Sequence, residues 1–250
     1  MRRSHGILFT FLSCAGCSES ASLAERPRAA APAPANAGEA ELPPLPVLAR
    51  TGRPPEPVRI LEPPDGAELD VASARSLSVR VRGASSLQLS LDGARPRPVV
   101  SDTLRIADLL DDSETLAAGA HDLVLVAVGP DGVVLEPTAG GVATVRFFVG
   151  TRPIPPAPPR IVCLAPFGTY YGATPTIALD FVVASGDPTD ANVEISPGAR
   201  RARASGRGPF ALGDFESGDY RVTLEPVPGA PPALPGRCVF AYNRELERSP

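Results

Sequence analysis

Hydrophobic and polar residues alternate with period two in several short runs along the chain. Leu77-Ser78-Val79-Arg80-Val81-Arg82 is one, and Leu87-Gln88-Leu89-Ser90-Leu91, ahead of Asp92-Gly93, is another. Both read as half-buried strands, the second entering a tight turn. Asp122 to Val128, followed by Gly129-Pro130-Asp131-Gly132, and Ala143 to Val149 read as the last strands of the same sheet system. About seven strands in roughly 93 residues suit a sandwich. Elsewhere the pattern breaks down. From Ser18 to about Glu56 the chain is rich in Ala, Pro and Glu without sustained periodicity, which predicts a disordered or polyproline-like tether. Its roughly 39 residues would reach about 35 Å as a coil and about 120 Å as polyproline II. Thr151 to Pro159 carries five Pro in nine residues. That predicts a semi-rigid spacer splitting the ordered part in two, because Pro neither donates to a ladder nor continues a helix.

The two parts are copies of one unit. Arg59-Ile60-Leu61 before Pro64-Asp65-Gly66 matches Arg160-Ile161-Val162 before Pro166-Phe167-Gly168, at an offset of 101 to 102. Leu87-Gln88-Leu89-Ser90 before Gly93-Ala94-Arg95 matches Val193-Glu194-Ile195-Ser196 before Gly198-Ala199-Arg200, and Gly119-Ala120-His121 matches Gly218-Asp219-Tyr220. Each copy closes on an apolar strand, Val145-Arg146-Phe147-Phe148 and Cys238-Val239-Phe240-Ala241. Ordered matches at four points identify an internal repeat. An opening strand, Pro-x-Gly, and a later Gly-x-His/Tyr step into a long strand resemble bacterial immunoglobulin-like and fibronectin type III-like modules. The resemblance covers about residues 57–150 and 158–245. It implies an all-β fold of two tandem immunoglobulin-like sandwiches, 57–150 and 160–246, separated by the spacer 151–159. It also implies corner packing for Tyr220 and His121, and it transfers fold rather than function.

The N-terminus carries an address. Met1 to His5 is basic, Ile7 to Leu12 is apolar, and Ser13-Cys14-Ala15-Gly16-Cys17 follows. This is the order of a secretory leader, too short to span a bilayer. Ala15-Gly16-Cys17 resembles the lipobox of bacterial lipoproteins, although Cys14 stands where the family usually has Leu. The resemblance implies cleavage after residue 16, lipidation of Cys17 and a tether over 17–56. Cleavage at Cys14, or an ordinary leader without lipid, is the alternative. Arg2-Arg3 reads as a plain basic start rather than a twin-arginine signal. Ser18 in place of Asp points to the outer membrane by analogy. Acyl chains contributing about 0.8 kcal/mol per buried CH₂ would anchor the chain without a membrane helix.

Composition narrows the chemistry. The chain has 250 residues, 31 Pro, 23 Gly, no Trp and a net charge of -4, which excludes an all-α bundle and gives no electrostatic footprint for nucleic acid. Every basic residue is Arg, and His5 and His121 are the two histidines. Schiff-base chemistry, histidine-rich zinc sites and His-dependent triads are therefore hard to build. Known catalytic and nucleotide-binding motifs are absent, so no cofactor and no catalysis is expected; a carboxylate-pair hydrolase stays open, since its acids can lie far apart in sequence. With Cys17 lipidated, Cys163 and Cys238 form an even pair in an exported protein, which predicts a disulfide. In immunoglobulin-like sandwiches the first and last strands, where the two cysteines lie, commonly neighbour one another. Closing a loop of about 76 residues would constrain the unfolded chain by roughly 4 to 5 kcal/mol.

Two candidate binding features remain. Arg200, Arg201, Arg203 and Arg207 form a guanidinium-rich loop suited to phosphates or carboxylates of an envelope glycan. Tyr170 and Tyr171 offer flat rings to a sugar. For each, a solvated loop or core filling is the plainer alternative. Asp108, Asp111, Asp112 and Glu114 gather oxygens that calcium would accept, in a spacing that fits no known loop; a solvated turn is again the plainer reading. The expected protein is a non-catalytic, lipid-anchored envelope protein whose tandem modules act as a spacer or protein-binding scaffold. The alternative is a module for an anionic glycan or cell-wall polymer.

Overall fold

The computed structural model describes residues 42–50, 52–83, 86–110, 116–130, 133–172, 176–187 and 190–244. The leader, Cys17 and the chain to residue 41 lie outside the described residues, as do Asp111, Asp112 and Glu114. No described helix is long and apolar enough to cross a membrane.

The first module contains β1 (Arg59–Glu62), β2 (Glu68–Leu69), β3 (Ser78–Arg82), β4 (Leu87–Leu91), β5 (Arg97–Pro98), β6 (Thr103–Arg105), β7 (Gly119–Ala127) and β8 (Val142–Val149). The second contains β9 (Arg160–Ala165), β10 (Gly168–Tyr171), β11 (Ile177–Ala184), β12 (Ala191–Ser196), β13 (Arg200–Ala204), β14 (Phe210–Leu212), β15 (Gly218–Pro226) and β16 (Gly236–Asn243). Their strand orders are the same. A three-stranded sheet β1-β3-β6 faces a five-stranded sheet β2-β8-β7-β4-β5, and β9-β11-β14 faces β10-β16-β15-β12-β13. Among the described strand pairs, the parallel ones are β2 with β8 and β10 with β16, each made by the short second strand of its module. The fold is all-β, with two immunoglobulin-like sandwiches in tandem. Hairpin chemistry repeats too. Asp92 and Gly93 (φ 53° and 78°) sit in the turn after β4, and Gly198 and Ala199 (φ 101° and 47°) in the three-residue loop between β12 and β13, so in both modules two successive positive-φ residues reverse the chain.

Each module has its own core. Val79, Leu89, Leu123, Leu125 and Phe147 fill the first, and Ile161, Leu179, Val193, Val222 and Phe240 fill the second. A third cluster joins them: Val124, Val126, Val128 and Val134 pack with Val162, Leu164 and Ala184. Side chains alternate across a strand, so these belong to the faces turned away from the two cores. The outer face of the first five-stranded sheet therefore lies on the outer face of the second three-stranded sheet. The sandwiches are stacked as four β layers. The Pro-rich segment does not hold them apart, since Arg146 of β8 donates to the carbonyls of Ala157 (2.8 Å) and Pro158 (3.0 Å), drawing the end of the segment back to the first module.

Residues 43–48 differ from the expected tether. Leu45 N–H donates to Arg203 O and Arg203 N–H to Pro43 O, both at 2.8 Å, so this segment runs beside β13. Leu48 N–H then donates to Pro209 O (2.7 Å) and Ala211 N–H to Pro46 O (2.8 Å), beside β14. Proline cannot donate to a ladder, but its carbonyl accepts, and Leu45 and Leu48 supply the donors. One strap thus closes the edge between the two sheets of the second module.

Cys163 and Cys238 form a disulfide with Cα atoms 5.8 Å apart. Their strands, β9 and β16, belong to opposite sheets, so the bond crosses the second core rather than joining hydrogen-bonded neighbours.

Candidate functional site

Buried charge concentrates where the modules meet. Asp122 of β7, 1 % exposed, points out of the first core and accepts from Arg146 Nε and Nη2, both at 2.8 Å. Ser185 Oγ, just past β11, donates to the same carboxylate at 3.0 Å. Arg160 of β9 lies between Asp122 (3.5 Å) and Asp92 (3.9 Å), and Asp92 accepts from the Asp122 N–H at 2.9 Å. One carboxylate thus takes guanidinium and hydroxyl donors from both modules, the full satisfaction a buried charge demands. At the strap, Arg50 grips Asp180 of β11 through two 2.8 Å bonds and donates to Val134 O of the first module, also at 2.8 Å. Burial pushes the Asp180 carboxyl above the usual carboxylate range, with Arg50 pulling the other way.

His121 and Tyr220 occupy equivalent corners at the start of β7 and β15. Tyr220 Oη donates to Glu216 O (2.9 Å) and accepts from Glu216 N–H (3.0 Å), four residues upstream. This is the tyrosine-corner arrangement. His121 Nε2 reaches Ala117 O, again four residues upstream, at 2.8 Å, while Nδ1 lies 2.6 Å from Asp92 Oδ2. Both ring nitrogens face acceptors, so the doubly protonated imidazolium satisfies both. Burial alone would lower the His121 pKa, but the Asp92 carboxylate and the Ala117 carbonyl outweigh it and the value is raised. The rings stack alike on the last strand, His121 on Phe147 with centroids 5.3 Å apart and Tyr220 on Phe240 at 5.4 Å.

The candidate glycan residues are not brought together. Tyr170 and Tyr171 lie on β10 and the Arg200 to Arg203 run on β13, at opposite edges of one five-stranded sheet. Arg200 donates to Gly213 O (2.8 Å) and Asp214 O (3.1 Å) and stacks over Phe215. Arg201 pairs with Glu194 and Arg203 with Asp190. Tyr170 packs edge-on to Phe240, and burial raises its phenol pKa. Tyr171 is exposed. Arg207 lines a cleft of about 240 Å³ at the rim of the seam, with Phe181 and Arg50. Of the acidic stretch, Asp108 is exposed and pairs with Arg105. Among the described residues, no group of three or more His, Cys, Asp or Glu is placed to hold a metal ion.

The residues that organise this site, Arg50, Asp122, Arg146, Arg160 and Asp180, were not singled out from sequence. A signal existed for two of them. Asp122 heads the apolar run of β7 and Asp180 interrupts that of β11, and a carboxylate in a buried strand requires a partner.

The sequence matches no family model and no curated protein. Among solved structures the chain is similar to the fibronectin type III-like modules of Clostridium thermocellum CbhA, at 16% identity and a TM-score of 0.27 over 77% of this chain and 98% of that one. It is also similar to the Dpr11 IG1 and DIP-gamma structure, at 11% identity and a TM-score of 0.23 over 74% and 98%. Titin Z1Z2 in complex with telethonin is a third, at 9% and 0.23 over 78% and 99%.

Proposed function

We propose that this chain is a non-catalytic, lipid-anchored protein of the bacterial cell envelope whose two sandwiches work as one stiff scaffold, spacing or presenting a protein-binding surface away from the bilayer. The observation that carries this reading is the seam: an apolar cluster backed by buried ion pairs resists bending between modules. The charges at the seam are spent on one another. Asp122 is saturated by Arg146 and Ser185, and Asp180 by Arg50, which favours a holding role over proton transfer. A disulfide suits an oxidising compartment, and the basic, apolar and Cys17 order of the first residues supplies the anchor. Metabolic labelling with a palmitate analogue tests the anchor: label on the wild-type chain and its loss in Cys17→Ala are expected. Undiminished label in Cys17→Ala would defeat the assignment.

A further inference from the structure

The two modules share an arginine tie across the same edge but cover that edge differently. In the first, thirteen residues (106–118) separate β6 from β7, and they include a 3-10 turn, Ile106–Leu109, that buries Ile106 and Leu109. Arg97 of β5 donates to Asp108 O (3.1 Å) at that turn, tying the two sheets together. In the second module only five residues (213–217) separate β14 from β15. There Arg200 of β13 makes the corresponding tie, to Gly213 O (2.8 Å) and Asp214 O (3.1 Å). The shorter link carries no 3-10 turn, and the strap lies along the edge with four backbone hydrogen bonds, Leu45 against the core and Arg50 on Asp180. The edge of the second sandwich is covered by an extended segment that comes from outside it in sequence, bridging β13 at Pro44–Arg203 and β14 at Val47–Phe210.

We infer that the β13–β14 edge is a strand-acceptor site, filled in cis by residues 43–50 and able to take the same segment from a second copy of the chain. Recognition rests on backbone pairing, the mode by which sheet edges capture extended peptides. Leu45 and Arg50 add selectivity, five residues apart, one for the core and one for Asp180. Because the partner segment is identical, exchange between two copies is reciprocal and closes as a dimer.

A Leu45→Asp/Arg50→Ala variant is designed to empty the edge, and amide protection in β13 and β14 reports whether both strands survive the loss of the Asp180 partner. A fluorescein-labelled peptide of residues 42–50 should bind this variant about tenfold or more tightly than the wild-type chain, whose tethered strap competes at high effective concentration. The same peptide carrying Leu45→Asp should not bind. Absence of peptide binding to a variant that keeps amide protection in β13 and β14 would overturn the inference. Wild-type chains provide a second test that survives an unfolded variant. Two differently tagged populations, concentrated together and then diluted, should co-purify, and excess unlabelled peptide should suppress this. Failure to co-purify would refute exchange between copies.

Discussion

β7 and β15 hold the same place in the repeat and share their inward faces, yet their outward faces are opposites. Leu123 and Leu125 in β7 correspond to Val222 and Leu224 in β15, all buried in the module cores. Outward, Asp122, Val124 and Val126 correspond to Arg221, Thr223 and Glu225. Val124 and Val126 are each 1 % exposed, whereas Arg221 and Glu225 are exposed to solvent. One sandwich plan thus yields a docking layer or a solvated layer, depending on three side chains of a single strand. The first sheets differ the same way, since Val162 of β9 is buried in the seam and Leu61 of β1 is 40% exposed.

Exchanging these outward residues tests the contrast most severely. Val126→Glu places a carboxylate in the seam and should lower stability by about 3 kcal/mol or more. The reciprocal Glu225→Val should stay within about 0.5 kcal/mol. Equal urea midpoints for the two variants would break the comparison. Replacing Cys163 and Cys238 together by Ala should cost about 2 to 5 kcal/mol. The loss should fall on the second module, since the position in β8 equivalent to Cys238 is Val145, buried without a cross-link. Resolved amide exchange should therefore rise in β12 and β15 before β4 and β7.

A smaller effect separates the two corners by pH. His121 has a folded pKa raised above its ordinary 6.5. Its contribution is complete below about 6.5 and is lost as pH rises through the folded value. The urea midpoint should fall over that range, and His121→Tyr, which gives the first corner the residue of the second, should flatten the slope. An unchanged slope would mean that another group titrates. Smallest of all, Arg201→Ala removes an exposed pair with Glu194 and should change stability by less than about 0.5 kcal/mol.

The sandwiches were legible in sequence because each has one alternating, half-wet surface: Ser78 to Arg82 in the first module and Val193 to Ser196 in the second show the period directly. Offsets between Gly119 and Gly218 exposed the duplication for the same reason. The stacking was also written in the chain, in a form that strand-by-strand reading misses. Leu123-Val124-Leu125-Val126-Ala127-Val128 does not alternate, and a continuous apolar strand is one buried on both faces. The strap was hidden by its prolines, which resemble linker until Leu45 finds its acceptor at Arg203 of β13 and Leu48 at Pro209, just before β14. Pairs such as Arg50 with Asp180, 130 residues apart, arise only from the fold.

Residual dipolar couplings of backbone amides in β4, β7, β12 and β15 test the stacked arrangement most directly. A seam that locks the modules predicts that all four strands fit a single alignment tensor of one magnitude and orientation. Two tensors of different magnitude, one for each sandwich, would contradict it.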